Sequence, residues 1–103
     1  MASSVIKNTF VASKDVSKTI KVAMTASRFE VSIYGKILVV SYYFNLKNAV
    51  ARNTELVTMN LPSNLLTTAF NGGYINMSYQ SIYAEKDLSA NIDYLGQLVG
   101  VLA

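Results

Sequence analysis

The chain has no cysteine, no histidine and no tryptophan, and one proline among 103 residues. Without cysteine there are neither disulfides nor thiolate metal sites. Without histidine the commonest general base and metal ligand are missing, and the serine triad with them. Charge is also scarce: charged residues make up 15% of the chain, against about 25% in a typical soluble domain. No apolar run approaches the ~18 residues of a membrane-spanning helix. The start, Met1 to Ile6, lacks the charged beginning and long apolar centre of a signal peptide, so a soluble chain not exported by that route is expected.

The acids are too few and too scattered for chemistry. They are Asp15, Glu30, Glu55, Glu85, Asp87 and Asp93. Only Glu85 and Asp87 lie close together, and beside Lys86 they read as a solvated turn. A glycosidase pair would need two acids held about 5–9 Å apart across a cleft. Asp87 and Asp93 flank a loop with too few oxygen ligands for calcium. Asn71-Gly72-Gly73 lacks the lysine and the strand–helix setting of a phosphate loop. Asn76-Met77-Ser78 fits a glycosylation acceptor, which carries no meaning without export. The expectation is a non-enzyme with no catalytic residue, no metal ligand and no cofactor.

The nine basic residues give a net charge of +3 but are spread thinly and nearly vanish after Arg52. A nucleic-acid module would cluster them with interleaved aromatics. Neither nucleic acid nor membrane is therefore expected as a partner.

What the chain does have is short-period alternation. Phe29, Val31 and Ile33 alternate with Arg28, Glu30 and Ser32, the period of two that marks a half-buried strand. Tyr34-Gly35-Lys36 then leads into an apolar run from Ile37 to Phe44. The two are read as a hairpin whose first strand has a wet face and whose second is covered on both faces. Tyr42 and Tyr43 must then point to opposite sides. Shorter alternating pieces follow the same pattern. Ile20, Val22 and Met24 face inward in residues 19–25. Thr54 to Asn60 alternates, with Leu56 and Thr58 against Glu55, Val57 and Met59. Residues 74–79, 81–84 and 92–102 complete the set.

Between them Ala12–Lys18 reads as a loop, Lys47–Asn53 as a connection, and Glu85–Asn91 as a turn. Leu61-Pro62 should stop a strand. Ser63-Asn64 could cap a helical turn up to Phe70. Asn71-Gly72-Gly73 is the strongest turn signal. Residues 1–11 hold a further short alternating piece. The pattern specifies an all-β fold, an antiparallel β-sandwich of jelly-roll or Greek-key type with about seven to eight short strands. Residues 28–103 form the sandwich domain, and residues 1–27 an extension or linker with one or two strands.

Seven tyrosines remain as the chain's binding asset. Tyrosine offers a flat apolar face and a hydroxyl, which suits interfaces and sugar rings alike. Tyr74 and Tyr83 lie near Asn71 and Asn76, whose amides donate and accept hydrogen bonds. The competing reading is that these tyrosines are ordinary strand residues favoured by β propensity. The low charge points to apolar surface hidden against other chains, unless Ser, Thr and Asn supply the polar surface instead.

The order of motifs is similar to that of a known group. Tyr34-Gly35-Lys36-Ile37-Leu38-Val39-Val40 precedes Thr54-Glu55-Leu56-Val57-Thr58-Met59-Asn60-Leu61-Pro62. A short strand at Gln80–Ala84, a turn with Leu88-Ser89-Ala90-Asn91, and a closing strand with Ile92-Asp93-Tyr94 come last. Over residues 28–103 this resembles the C-terminal β-sandwich domains of phage tail-fibre and baseplate proteins of Gram-positive hosts. In that group the Leu-Pro is often followed by Gly and a second Pro, whereas Ser63-Asn64 stands here. Residues 1–27 have no counterpart.

The resemblance implies a non-enzymatic homotrimer in the phage tail, assembled in the host cytoplasm. It would bind host cell-wall saccharide or a neighbouring virion subunit, with three weak sites acting together. On that reading the ligand-binding candidates are Asn71, Tyr74, Asn76, Tyr83 and Asn91. The alternative is a purely structural virion component, such as a head decoration, tail or connector protein.

Overall fold

The structure is a computed structural model that describes residues 10–15, 17–60, 70–71, 73–78 and 80–101. Within them the chain forms β1 (Phe10–Asp15), β2 (Lys18–Ile20), β3 (Met24–Tyr34), β4 (Ile37–Leu46), β5 (Glu55–Met59), β6 (Phe70–Asn71), β7 (Ile75–Ser78), β8 (Ser81–Ala84) and β9 (Asp93–Val101). They make two antiparallel sheets, ordered β1-β3-β4-β9 and β2-β5-β8-β7-β6. The fold is an all-β sandwich. Strands β6, β7 and β8 run as consecutive neighbours while β5 lies beside β8, which is Greek-key order.

The β3–β4 hairpin forms where the alternation placed it. Tyr34 pairs with Ile37, leaving Gly35 and Lys36 as a two-residue loop. Gly35 sits at φ 63, the left-handed geometry that type II′ hairpins require at their first loop position. Strand β4 is central in its sheet, and after exposed Ile37 its residues alternate between fully buried and half-buried. The expected cover on both faces is therefore only partial: Leu38, Val40, Tyr42, Phe44 and Leu46 fill the core, while Val39, Ser41, Tyr43 and Asn45 are screened only by neighbouring side chains.

Three other departures have local causes. Ala12–Asp15 belongs to β1 and is not a loop; its pairing with β3 slips between Val11 and Lys14, so no clean alternation survives to be read. The strand expected over residues 19–25 is split, because the chain crosses from one sheet to the other between Ile20 and Met24. Ile20 is exposed as a result. In β5 the pairing with β8 slips between Glu55 and Val57, and this bulge lets Leu56 and Val57 both enter the core. The expectations for Leu61-Pro62, for the helical turn at 63–70 and for residues 1–9 lie outside the described residues.

The boundary drawn at residue 28 falls inside β3, and β1 and β2 each pair within one of the two sheets. At one end of the sandwich the connections 47–54 and 85–92 are tied together. Val50 and Leu88 exchange both backbone hydrogen bonds, at 3.0 and 2.9 Å. Leu88, buried itself, joins the core from this end.

The core draws on both sheets: Phe29, Leu38, Phe44 and Leu98 from one, and Leu56, Ile75, Met77 and Ile82 from the other. Gly96 of β9 faces Tyr42 directly. A Cβ there would lie 2.7 Å from Tyr42 Oη and 3.0 Å from its Cζ, so the tyrosine ring occupies the space that a side chain would need. Gly96→Ala should therefore cost about 1–3 kcal/mol in urea unfolding. Combining it with Tyr42→Leu should recover most of that increment, because the two changes relieve one clash. A loss below about 0.5 kcal/mol for Gly96→Ala would show the ring to be free to move aside.

Candidate functional site

The outer face of the five-stranded sheet is polar, and alternation makes it so. In β7, Ile75 and Met77 are buried while Asn76 is half-buried and Ser78 exposed; in β8, Ile82 and Ala84 are buried while Ser81 and Tyr83 are half-buried. Pairing aligns these positions across strands. Asn71 stands opposite Asn76, Asn76 opposite Tyr83, and Tyr83 opposite Glu55. Three of the five candidates, Asn71, Asn76 and Tyr83, thus occupy one row.

The row is held by its neighbours. Asn76 donates its Nδ2 hydrogen to Glu85 Oε1, which fixes the orientation of the amide and turns its remaining donor and acceptor toward other partners. Thr58 donates to Glu55 Oε2 at 2.9 Å. Next to Thr58 a shallow depression of about 160 Å³ is lined by Lys18, Thr19, Asn60 and Gln80, among others. Hydroxyls and amides therefore dominate this face.

Tyr74 and Asn91 are not on the row. Tyr74 packs edge-on against Tyr94, with ring centroids 5.0 Å apart and planes at 66°. The Lys86 ammonium stands 5.8 Å from its ring centroid. Tyr74 remains 44% exposed, so one part of the ring still meets solvent. Asn91 takes φ 61 in the turn before β9, a conformation asparagine tolerates better than most residues, and its N–H donates to the Leu46 carbonyl at 2.9 Å.

A second polar cluster, on the outer face of the other sheet, is invisible in the sequence. Tyr43 Oη donates to Asp93 Oδ1 at 3.0 Å and Asn45 Nδ2 donates to the same oxygen at 2.9 Å. Thr25 Oγ1 donates to Asn45 Oδ1 at 3.0 Å. Beside it Arg28 and Glu30 form an ion pair at 2.8 Å. With Ser41, Tyr42 and Tyr43 they line an open depression of about 270 Å³. The partners are up to 50 residues apart in the chain, and only the β4–β9 pairing unites them. Among the described residues no three His, Cys, Asp or Glu side chains converge as a metal site.

Set against known protein families, curated proteins and solved structures, the chain matches none.

The Asp93 network titrates in a defined direction. The hydrogen bonds from Asn45 and then Tyr43 stabilise the carboxylate and lower its pKa below the ordinary 3.8. The same bond, given up when the phenol ionises, raises Tyr43 above 10.0. Because the Asp93 value is depressed on folding, the stability it contributes is present above pH 3.8 and lost as pH falls through the depressed value. In an NMR titration the Asp93 carboxyl should have its midpoint below 3.8, and Asn45→Ala should move it upward. A wild-type midpoint at or above the ordinary value would mean the network does not persist in solution.

Proposed function

We infer that the chain is a non-enzymatic binding module of a phage tail fibre or baseplate, acting on a Gram-positive host through the outer face of its five-stranded sheet. The observation that carries this reading is the pairing of Asn76 with Tyr83 on that face, with Asn71 opposite Asn76 in the register. An amide that donates and accepts, set beside an aromatic ring with a hydroxyl, matches the alternating hydroxyls and apolar faces of a sugar. The face is broad and shallow, which suits a polymer chain lying across it better than a small molecule enclosed in a pocket. Cell-wall saccharide is therefore the ligand class, bound weakly at each site and strengthened by several copies on one particle. The resemblance over residues 28–103 supports the same setting.

The second reading is a virion component that binds only other virion proteins. The apolar end of the four-stranded sheet's outer face, where Ile37, Val99 and Val101 are exposed, favours it, since that end has no use in sugar binding.

Purified cell walls from Gram-positive bacteria, freed of protein, separate the two readings in a sedimentation pull-down. The wild type should co-sediment, and Asn76→Ala and Tyr83→Ala should each weaken retention at least about tenfold, equal to about 1.4 kcal/mol per site. Lys36→Ala, in the hairpin turn of the other sheet, should leave retention unchanged. Absence of wild-type binding to walls of every species tried would favour the structural reading.

A further inference from the structure

The edge of a β-sheet carries a row of N–H and C=O groups that another strand can pair, and natural edges are guarded by brevity, bulges, proline or lysine. Among the described residues the two sheets end at β1, β9, β2 and β6. Three of these edges are guarded. β1 slips in register between Val11 and Lys14, β2 is three residues long and begins with Lys18, and β6 is two residues long. β9 is the exception. It runs for nine residues, pairs with β4 without a slip, and contains no proline, lysine or arginine. Its one charge, Asp93, stands at its start and is held by Tyr43 and Asn45.

Hydrogen-bond direction identifies the groups on that edge. Successive residues of a strand turn their backbone groups to opposite sides. In β4 the Leu46 carbonyl accepts the Asn91 N–H on the β9 side, and the Lys47 N–H that follows donates to Ala23 on the β3 side. Even-numbered residues of β4 therefore bond to β9, through the pairs Leu38–Gly100, Val40–Leu98, Tyr42–Gly96 and Phe44–Tyr94. The odd-numbered residues of β9 (Asp93, Leu95, Gln97, Val99 and Val101) turn their N–H and C=O away from β4, and all of them are exposed. Among the described residues no other backbone pairs with this row.

We propose that two copies of the chain join at this edge, β9 against β9 in antiparallel pairing, so that their four-stranded sheets become one. The sequence of the strand selects a second copy as its occupant. Edge groups pair with edge groups, which lets Gln97 lie opposite its own counterpart on a two-fold axis. On the inner face Tyr94 then stands opposite Gly100 and Leu98 opposite Gly96, each large side chain covering a glycine, as an aromatic does when it rescues a glycine in a sheet. Sliding the pairing by two residues either way would set glycine opposite glycine. On the outer face Leu95, kept from Val99 within its own strand by Gln97, meets Val99 of the second copy. Asp93 meets Val101, which lies beside Ile37 at the end of the sheet that carries Lys36. Opposite charges therefore approach one another and like charges stay apart. Main-chain hydrogen bonds, rather than a wide apolar area, supply the affinity of an added strand.

The pairing leaves the outer face of the five-stranded sheet uncovered, and it stands or falls apart from the saccharide reading. Loss of Tyr83 is read in wall sedimentation with the solution mass unchanged, whereas loss of the β9 pairing is read in the mass.

A chain without cysteine allows a direct test, because Gln97→Cys places a single thiol on the proposed axis. Hydrogen-bonded antiparallel neighbours have Cα atoms about 5.5 Å apart, within disulfide reach. Under mild oxidation Gln97→Cys should form a covalent dimer, and Ser78→Cys, on the other sheet, should not. Light scattering of the wild type should give twice the mass of the chain, falling on dilution. Leu95→Lys combined with Val99→Lys sets like charges opposite each other and should raise the dissociation constant at least tenfold. Leu95→Lys combined with Val99→Glu sets opposite charges face to face and should restore the dimer. Circular dichroism checks that both keep their strands, and the cysteine variants decide the matter should either unfold. A wild type that is monomeric at every concentration overturns the proposal, as does a trimer, a Gln97→Cys chain that does not cross-link, or a glutamate variant no more dimeric than the lysine one.

Discussion

Phe44 is the contact on which the rest of the sandwich depends. It lies at 0% exposure in the central strand β4 and stacks with Phe29 of β3 at 6.3 Å, with Tyr42 of its own strand at 5.9 Å, and with Tyr94 of β9 at 5.3 Å. Tyr94 passes the contact on to Tyr74, just ahead of β7 in the other sheet. One aromatic chain thus joins three strands of one sheet and reaches across to the second. Offset stacks of this kind add about 0.5–1.5 kcal/mol each beyond the area they bury. Tyr94 is held at its far end as well, where its hydroxyl accepts the Ser89 N–H at 2.8 Å. That bond makes the 85–92 connection part of the core's support.

The inner faces obey one rule and the outer faces obey two. Inward positions are filled mostly with large apolar residues where the strands alternate, Ala84, Gly96 and Gly100 being small exceptions, and a β-bulge in β5 adds one more. Among the described residues, outward positions on β5, β7 and β8 are Glu, Thr, Ser, Asn and Tyr, whereas on the four-stranded sheet they divide between a polar cluster around Asp93 and an apolar end around Val99. A solvent-facing sheet has no physical need for that apolar end. Nor does core packing require the Asn71–Asn76–Tyr83 row to consist of amides and a phenol.

Periodicity made the hairpin, β7, β8 and β9 legible before any coordinates, because each alternates without interruption. It failed wherever pairing was irregular. The slip between Val11 and Lys14 hid most of β1, the sheet crossing after Ile20 broke an apparent strand, and the bulge at Glu55–Val57 put two adjacent residues inside. Residue type alone singled out the candidate site residues, and it was the register that separated them, setting Asn76 and Tyr83 side by side and leaving Asn91 to shape a turn. The Asp93 cluster was unreadable for a different reason. Tyr43, Asn45 and Asp93 each look ordinary in their own segments, and their shared chemistry exists only in the β4–β9 ladder.

The β9 edge and the Asn76–Tyr83 row belong to different sheets, and this arrangement has a mechanical consequence. A subunit that pairs through the edge of its four-stranded sheet leaves the outer face of its five-stranded sheet uncovered. Each copy then displays its Asn76–Tyr83 row to solvent, fixed in orientation by the rigid aromatic core between the sheets. In a pair packed face to face through the four-stranded sheets, the two rows would face opposite ways, about 30 Å apart across four stacked sheets, so each row would meet a different stretch of polymer. In a pair joined edge to edge, residues directly opposite share a face of the sheet. Both five-stranded sheets then lie on one side of the joined sheet, and the two rows face the same way.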